Sequence, residues 1–303
     1  MRGLTRVGLC LATAAVGSLF VRAAAAGPDE TEAFQLVSKF NHRSLGEAGI
    51  QRVTMLLKRG DLVSRRFEIV RIFSQGVDSI RTVVTLLEPA SLAGLAYRIL
   101  EYNDEVRRGE VHLYLPAGTR TVMQLKPSRF FEGLLGADFS YDDLRWRLPE
   151  DGWTYLSLGR QASGNRKIHK ILGSLSRDDG NIAFPATVLW LDDDTGFLLR
   201  RAYYRNLADY RDNRVPDKVL EVAASRCIDG VNTPVTMVMT SADGDVSELR
   251  LRTAVYHQKS VDWERLSTIA LPGAADWVRS LPSVQATEMD SSNLRSVELC
   301  EHP

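Results

Sequence analysis

Cysteine and histidine are scarce in this sequence, and neither is arranged as a catalytic or metal-binding motif requires. The 303 residues contain three cysteines and five histidines, and the histidines are widely scattered. The His-Glu-x-x-His, Cys-x-x-Cys and Gly-x-Ser-x-Gly motifs are missing, as is a glycine-rich phosphate loop. The sequence therefore gives no nucleophile or metal centre from which to predict an enzyme. We expect a non-catalytic protein without a cofactor.

Charge of either sign is not in excess, and only one long hydrophobic run occurs. Basic and acidic residues number 38 each, so the formal net charge is zero and a nucleic-acid-binding surface is not indicated. The apolar run covers residues 7–21, follows two arginines and precedes Ala24–Ala26. It is shorter than the roughly 20 residues that a membrane-spanning helix needs. Residues 1–26 are predicted to be a signal peptide cleaved near Ala26, with an uncleaved anchor as the alternative.

Export to the periplasm would leave two cysteines, Cys227 and Cys300. The bulky Leu9 before Cys10 argues against processing as a lipoprotein. An oxidising compartment favours a disulfide between the two remaining thiols. They lie 73 residues apart, and closing a loop of that length stabilises a fold by about 4 kcal/mol in the chain-entropy model. Two unpaired thiols are the alternative.

Alternating apolar and polar residues dominate the chain between residues 50 and 256. Turn sequences such as Arg59–Asp61 and Ala242–Asp245 separate the alternating stretches. Long helical patterns between them are lacking, which argues against parallel β-α-β units and for a curved antiparallel meander or open barrel. The apolar positions predicted to share one face include Val53, Met55, Leu57, Phe67, Ile69, Val111, Leu113, Leu115, Val188, Trp190, Val235, Met237, Met239, Leu249, Leu251 and Val255.

Short helices are predicted at both ends of the chain and once in the middle. Asp29 and Glu32 form a capping pattern ahead of an apolar face made by Ala33, Phe34, Val37 and Phe40. Pro127–Leu135 begins with proline and carries a concentrated apolar stripe, which predicts a lid helix. Two further helical patterns surround Trp263 and Trp277 and are expected to cover a barrel edge or mouth. The tail from Pro282 is polar and is expected to be poorly ordered unless Cys300 is bridged.

The most distinctive stretch is F-F-E-G-L-L-G-A-D-F-S-Y-D-D-L, from Phe130 to Leu144. Together with V-H-L-Y-L-P-A-G-T-R, from Val111 to Arg120, it resembles the LolA-like proteins, the periplasmic outer-membrane lipoprotein-sorting family. The similarity extends to Val53–Gly60, Leu87–Gly94 and Val188–Arg201. It implies a mainly β fold, an incomplete antiparallel β-barrel with short helices as a lid. We expect this domain over residues 27–256 and a helical and polar tail over 257–303.

The resemblance implies a carrier that holds lipid or lipoprotein acyl chains in an apolar cavity. Flexible methionines suit irregular apolar ligands, although each of these side chains would serve equally well as ordinary core. The second option is an adaptor or sensor module that docks on an envelope transporter of the resistance-nodulation-division type. The residues predicted to line the cavity are Met55, Leu57, Phe67, Leu113, Leu115, Phe130, Phe131, Leu134, Leu135, Phe139, Trp190, Met237 and Met239.

Two acidic clusters offer weaker alternatives. Asp138, Asp142 and Asp143 are candidates for two-carboxylate hydrolysis if two of them converge at a cleft, but acidic turns are also common backbone caps. Asp192–Gly196 resembles a calcium loop, yet its glycine is one position early and no bidentate glutamate follows. We predict a structural turn in both places and no metal site.

Overall fold

The computed structural model describes residues 28–103, 109–117, 120–176, 182–256, 271–280 and 296–300. These residues form three α-helices and one antiparallel sheet of thirteen strands. The predicted signal peptide and the predicted helix around Trp263 lie outside the described residues. No helix among the described residues is long and apolar enough to span a membrane.

The strands have the following bounds: β1 Ala48–Arg59, β2 Leu62–Gln75, β3 Ser79–Glu88, β4 Ala96–Tyr102, β5 Glu110–Tyr114, β6 Val122–Gln124, β7 Trp153–Ser163, β8 Arg166–Leu175, β9 Ala186–Asp192, β10 Leu198–Tyr204, β11 Lys218–Ile228, β12 Val231–Ser241 and β13 Val246–Tyr256. The α-helices are α1 Pro28–Asn41, α2 Leu207–Arg211 and α3 Ala274–Ser280.

The strand order shows two antiparallel meanders, β1 to β6 and β7 to β13, which are joined where β1 pairs with β13. From one edge to the other the sheet reads β6-β5-β4-β3-β2-β1-β13-β12-β11-β10-β9-β8-β7. Strands β6 and β7 are consecutive in the chain but lie at opposite edges. The connection between them, residues 125–152, packs over the inner face of the sheet and contacts strand β11, and we call it the crossing segment. The predicted incomplete antiparallel barrel is confirmed, since the sheet does not close between β6 and β7.

Tight turns set the register of the hairpins. Arg59 pairs with Leu62 around Gly60 and Asp61, and Gly60 has the positive φ of +58° that such two-residue turns require. The Asp229–Gly230 turn between β11 and β12 has positive φ at both residues, as a type I′ turn demands. Such turns match the right-handed twist of the strands and join them without splaying. Each half of the sheet is therefore built from strands that are neighbours in the sequence.

The main core lies between the inner face of the sheet and the crossing segment. Met55, Tyr97 and Phe139 are fully buried there, together with Leu134 and Met239. Burying one such side chain stabilises the fold by about 1.5 to 3 kcal/mol. Because the crossing segment supplies one wall of this core, its position is fixed by packing as well as by its chain ends.

Helix α1 packs against the β7 end of the sheet through a face that differs from the prediction. The helix begins at Pro28, one residue before the predicted cap. Ala33, Val37 and Phe40 are buried as expected, but Leu36 takes the place of Phe34, which is 43% exposed. Positions 33, 36, 37 and 40 repeat at the helical spacing of three and four residues, whereas position 34 points away from them.

The prediction of a single lid helix over Pro127–Leu135 is wrong. The structure has two short 3-10 turns, Pro127–Phe131 and Leu134–Gly136. Gly133 interrupts them because it forms a β-bridge with Ser140, and a Cβ atom at Gly133 would lie 2.4 Å from the carbonyl oxygen of Ala137. Leu135 has φ +57°, which is incompatible with a continuing right-handed helix.

Helix α3 packs on the outer face of the sheet, and residues 296–300 lie alongside strand β11. Helix α3 places Trp277 against Val70 and Ile72, which alternate with the inner-face residue Ile69 along β2. Residues 296–300 lie beside β11 through backbone hydrogen bonds of 3.1 Å to Ser225. Cys227 and Cys300 form a disulfide there. The polar residues 281–295 lie outside the described residues.

Candidate functional site

Asp143 holds the crossing segment against the sheet. Its carboxylate accepts hydrogen bonds from the Lys218 ammonium at 2.6 Å, the Tyr203 hydroxyl at 2.6 Å and the backbone N–H of Ser140 at 2.8 Å. The Asp143 and Lys218 side chains are only 1% and 7% exposed. Lys218 also donates to the carbonyl of Asp138 at 3.1 Å. One buried ion pair therefore connects the conspicuous acidic stretch to strands β10 and β11.

The electrostatics of this cluster favour the ionised pair. Burial alone would raise the pKa of Asp143, but the Lys218 ammonium and the Arg201 guanidinium outweigh it and lower the pKa below its usual value. Burial raises the pKa of Tyr203 well above its ordinary value, so this hydroxyl stays protonated and donates to Asp143. The cluster is thus a charged anchor at neutral pH.

The three aspartates of the acidic stretch serve different partners. Asp138 accepts a hydrogen bond of 3.0 Å from the Ser247 hydroxyl, whose oxygen in turn accepts from the Asp138 backbone N–H at 2.9 Å. Asp142 lies 3.5 Å from Arg145 and 4.0 Å from Arg201. Asp143 belongs to the Lys218 pair. Each carboxylate is thus committed to its own structural contacts, as the turn interpretation expects, and this arrangement gives no support to paired-acid hydrolysis.

A cavity of about 130 Å³ lies between the crossing segment and the sheet. Aliphatic and aromatic side chains from β1 to β4 and from β10 to β13 make most of its wall, and Leu134, Leu144 and Trp146 of the crossing segment lie opposite them. The apolar part of the sheet wall consists of Val53, Ile69, Val84, Tyr97, Leu198, Leu220, Val222, Val231, Pro234, Val235, Met237, Leu249, Leu251 and Tyr256. The cavity is mostly apolar, as the carrier hypothesis expects, but it is too small for a complete acyl chain.

The predicted ligand-binding residues divide into groups by position. Leu134 and Met237 line the cavity, whereas Phe131 and Leu135 are partly buried against the core. Leu135 and Phe67 also border an open surface depression of about 530 Å³. The others on this side are buried core residues: Met55, Leu57, Phe67, Leu113, Phe130, Phe139 and Met239.

Leu115 and Trp190 do not reach the inner face. Strand β5 ends at Tyr114, so Leu115 falls in the following loop and is 37% exposed. Along β9, Leu189 and Leu191 are buried inside, and Val188 and Trp190 pack on the other face. Every residue from Val188 to Leu191 is apolar, so alternation alone selects no face.

Sequence reasoning missed the charged part of the cavity wall. Arg43, Arg71 and Arg145 line the cavity together with Asp143. Arginines in a strand or loop ordinarily face solvent, and nothing in the local pattern marks these three. The only available signal is Arg71 itself, which occupies β2 between the apolar residues Val70 and Ile72.

A second polar group lies at the β7 edge of the sheet. Ser157 Oγ is 2.7 Å from His169 Nε2, and His169 Nδ1 is 3.4 Å from an oxygen of Asp193. The same three residue types act as nucleophile, base and orienting acid in serine hydrolases. Here His169 Nδ1 makes no hydrogen bond within the described residues, and Asp193 pairs with Arg160 at 3.0 Å. We interpret the group as a polar link between β7, β8 and the turn after β9.

We therefore expect a fluorophosphonate probe to leave Ser157 unmodified, because the imidazole is not oriented by the carboxylate. Intact-mass measurement after incubation should give the same mass as untreated protein. The variant Ser157→Ala is the matched control. A phosphonate adduct on the native chain that disappears in Ser157→Ala would contradict this interpretation and reopen an enzymatic role.

The Asp192–Gly196 segment is the turn between β9 and β10. Asp192 accepts hydrogen bonds from the backbone N–H of Thr195 at 2.9 Å and from its hydroxyl at 2.7 Å. Gly196 has φ +71°. Within the described residues, no three histidine, cysteine, aspartate or glutamate side chains converge as a metal site would require.

Comparison with solved structures defines the class. A DUF1329 family protein from Desulfovibrio piger superposes with a TM-score of 0.67 at 19% identity, over 77% of this chain and 95% of that one. A putative outer membrane lipoprotein-sorting protein domain from Vibrio parahaemolyticus gives 0.66 at 18% identity, over 80% and 98%. A LolA superfamily protein from Nitrosomonas europaea gives 0.55 at 16% identity, over 77% and 96%.

The protein therefore has the LolA-like fold, and the predicted resemblance is confirmed. A family model described as "Uncharacterized protein" matches residues 78–263, more than half of the chain. The chain belongs to that family. No curated protein matches the sequence.

Proposed function

We propose that this protein is a periplasmic carrier that binds a lipid or a lipidated protein in its apolar cavity and moves it across the envelope. The observation that carries the proposal is the mostly apolar cavity between the crossing segment and the inner face of the sheet. The fold shared with a putative lipoprotein-sorting domain supports it. Residues 1–26 would then direct export and be removed.

A carrier of this kind avoids the energetic cost of exposing an acyl chain to water. Each methylene group exposed to water costs about 0.8 kcal/mol, so a chain of about 15 methylenes costs roughly 12 kcal/mol outside a membrane. An apolar cavity removes that cost without any chemical step. Aliphatic walls discriminate weakly between apolar chains, and the described cavity shows no group arranged for catalysis.

The cavity must enlarge to accept a complete acyl chain. At about 130 Å³ it resembles an engineered apolar cavity of roughly 150 Å³ that holds one benzene ring. Drug-sized ligands occupy pockets of roughly 300 to 1,000 Å³. A carrier with this structure therefore needs a more open form, in which part of the crossing segment moves when ligand enters.

The distribution of anchors indicates which part moves. Residues 138–148 are tied to the sheet by Asp138, Asp143 and the carbonyl of Leu144, which accepts from Arg71 at 2.5 Å. Residues 127–137 contribute an exposed local ion pair and, at Gly133 and Leu134, backbone contacts with Ser140 and Phe139. They otherwise pack through apolar side chains. Displacing residues 127–137 withdraws Leu134 from the cavity. This stretch is the lid of the proposed carrier.

The small size of the closed cavity favours one second candidate, a non-catalytic adaptor. In that role the filled core would be permanent, and the protein would dock on an envelope transporter of the resistance-nodulation-division type. An adaptor and a carrier differ in one measurable property, the presence of bound lipid.

Native mass spectrometry of protein purified from the periplasm under mild conditions tests the proposal. We expect wild-type protein to carry a co-purified lipid or lipidated protein. The variant Met237→Trp should lose at least four fifths of that cargo, because the larger ring fills the cavity from β12. Lipid extraction from the same samples identifies the adduct.

Thr240→Trp is the matched control, since Thr240 is exposed on the opposite face of the same strand. It should carry as much lipid as wild type. A wild-type mass without adduct, combined with no uptake of lipid from added vesicles, would refute the carrier and leave the adaptor. Equal loading of Met237→Trp and wild type would place the ligand elsewhere.

A further inference from the structure

Three arginines bring positive charge to a mostly apolar cavity, whose other polar lining residues are Gln51, Asp143 and Asn232. Arg43 follows α1, Arg71 lies on β2, and Arg145 belongs to the crossing segment, and all three line the cavity. They come from separate parts of the chain and converge only in the folded protein. A cavity that binds only hydrocarbon has no use for guanidinium groups in its wall, because the ligand offers them no partner and burying a cation without a partner is strongly unfavourable.

The nearest buried carboxylate is already occupied. Glu101 is 1% exposed, and its oxygens accept hydrogen bonds of 3.0 Å from the backbone N–H of Trp146 and 3.1 Å from that of Arg147. The Arg145 guanidinium lies 3.8 Å from the same carboxylate. Glu101 thus balances Arg145 and fixes the backbone beside it.

Arg71 and Arg43 have no carboxylate of their own. Arg71 stacks on the Trp146 ring at 3.6 Å, donates to the Leu144 carbonyl, and has a buried Nε without a hydrogen-bond partner within the described residues. Arg43 stacks on Phe40 at 3.7 Å and donates to the Phe40 carbonyl. No carboxylate among the described residues lies within 4 Å of either guanidinium.

Burial of these two cations has an energetic signature. It lowers the pKa of Arg43 to about 9 and that of Arg71 to about 10, and the attraction of Glu101 only partly offsets the burial. Arginine remains protonated at neutral pH even so. The described residues at the cavity therefore carry more positive charge than the neighbouring carboxylates neutralise.

We infer that the cavity receives an anionic amphiphile, with its oxyanion head between Arg71 and Arg43 and its tail along the apolar wall. The inference rests on the proposed carrier function and narrows it to a ligand class. A carboxylate or phosphate head suits this place because guanidinium groups bind planar or tetrahedral oxyanions through paired hydrogen bonds. The unsatisfied Nε of Arg71 supplies one donor, and the head supplies the missing counter-charge.

The rest of the cavity wall favours an apolar tail on the ligand. Val53, Val84, Val235, Met237 and Leu249 surround the rest of the cavity, and they offer contact but no hydrogen bonds through their side chains. An amphiphile satisfies both parts of this wall at once. A neutral chain of the same length would fill the apolar part and leave the two cations unpaired.

The test compares ligands with the same tail. Hexadecanoate and palmitoyl lysophosphatidate carry an anionic head, and methyl hexadecanoate carries none. By displacement of a fluorescent lipid from the full mature chain, we expect at least one anionic probe to bind at least tenfold more tightly than the methyl ester. Which of the two binds more tightly distinguishes a fatty acid from a phospholipid head.

Variants locate the preference. Arg71→Met should reduce the preference for the anionic probe to within about twofold, with the affinity for the methyl ester unchanged, and Arg43→Met should act in the same direction. Arg71→Lys, which keeps the charge but loses the paired donors, should give an intermediate value. Arg59→Met is the control, since Arg59 is 85% exposed, and it should preserve the full preference.

The outcomes separate this inference from the proposed function. Equal binding of anionic and neutral probes by wild-type protein would overturn the inference and leave the carrier standing. A preference that survives unchanged in both Arg71→Met and Arg43→Met would also overturn it. Binding of none of the probes would refute both. The wild-type comparison requires no variant, so a misfolded variant does not prevent a decision.

Discussion

Replacing Lys218 with methionine is expected to lower the free energy of unfolding by about 3 to 5 kcal/mol, the usual effect of removing one partner from a buried ion pair. Methionine has a similar length, so the loss comes from leaving the Asp143 carboxylate buried without its cation. Both side chains are almost fully buried. Urea denaturation at pH 7, followed by far-ultraviolet circular dichroism, measures the difference.

A double-mutant cycle identifies the cause. The double variant Lys218→Met, Asp143→Asn should lose much less stability than the sum of the losses in the two single variants, because neither charge is then left unpaired. Lys167→Met is the surface control, since Lys167 is exposed, and should change stability by no more than about 0.5 kcal/mol. Additive single effects would show that the two side chains act independently.

Acid should diminish the difference between wild type and Lys218→Met. The folded-state pKa of Asp143 is lowered, so its contribution is fully present above the unfolded-state pKa of about 3.9 and is lost as the pH falls through the folded-state value. The stability difference between the two proteins should therefore stay constant from pH 7 to about pH 4 and decrease as the pH is lowered further toward 2. A difference that does not decrease below pH 4 would contradict this account.

Removing the Cys227–Cys300 disulfide is expected to cost about 4 kcal/mol, because it closes a loop of 73 residues in the unfolded chain. For a chain of this size that corresponds to a decrease in Tm of roughly 8 to 16 °C. The double variant Cys227→Ser, Cys300→Ser should unfold at the lower temperature in differential scanning calorimetry.

Reduction of the wild-type protein provides an independent control. With dithiothreitol the wild-type Tm should fall to that of the double variant, and the reagent should not affect the variant itself. Contacts other than the disulfide also hold the tail, among them the backbone hydrogen bonds at Ser225, the bond from the Cys300 N–H to Asn232 at 2.6 Å and the bond from Arg226 to the Ser296 hydroxyl at 2.9 Å. An unchanged Tm in the double variant would show that these contacts suffice.

Sequence patterns predicted the hairpins well because their causes are local. Alternation assigned Met237 and Met239 to the inner face correctly, and the structure puts Met239 in the core and Met237 at the cavity. The turn at Gly60 needs only the residues beside it. The same rule failed at Trp190, where an unbroken apolar run gives no alternation and the outer face is also covered.

The anchors of the site could not be predicted, since they join distant parts of the chain. Lys218 stands beside Asp217 at the start of β11 and reads as an ordinary surface lysine. Its burial depends on the crossing segment, which places Asp143 next to it from 75 residues away. The positions of Arg43 and Arg71 at the cavity could not be predicted for the same reason. The acidic stretch was recognisable, but its partners were not.

The position of β6 and β7 at opposite edges of the sheet has a mechanical consequence. Within the part of the chain that the structure describes, the 28 residues from 125 to 152 join these edges directly. Fully extended they would span roughly 90 to 100 Å, so their 3-10 turns store spare length. Unwinding a turn near Gly133 lengthens the segment. The two edges of the sheet can then move apart while every strand stays paired with its neighbours.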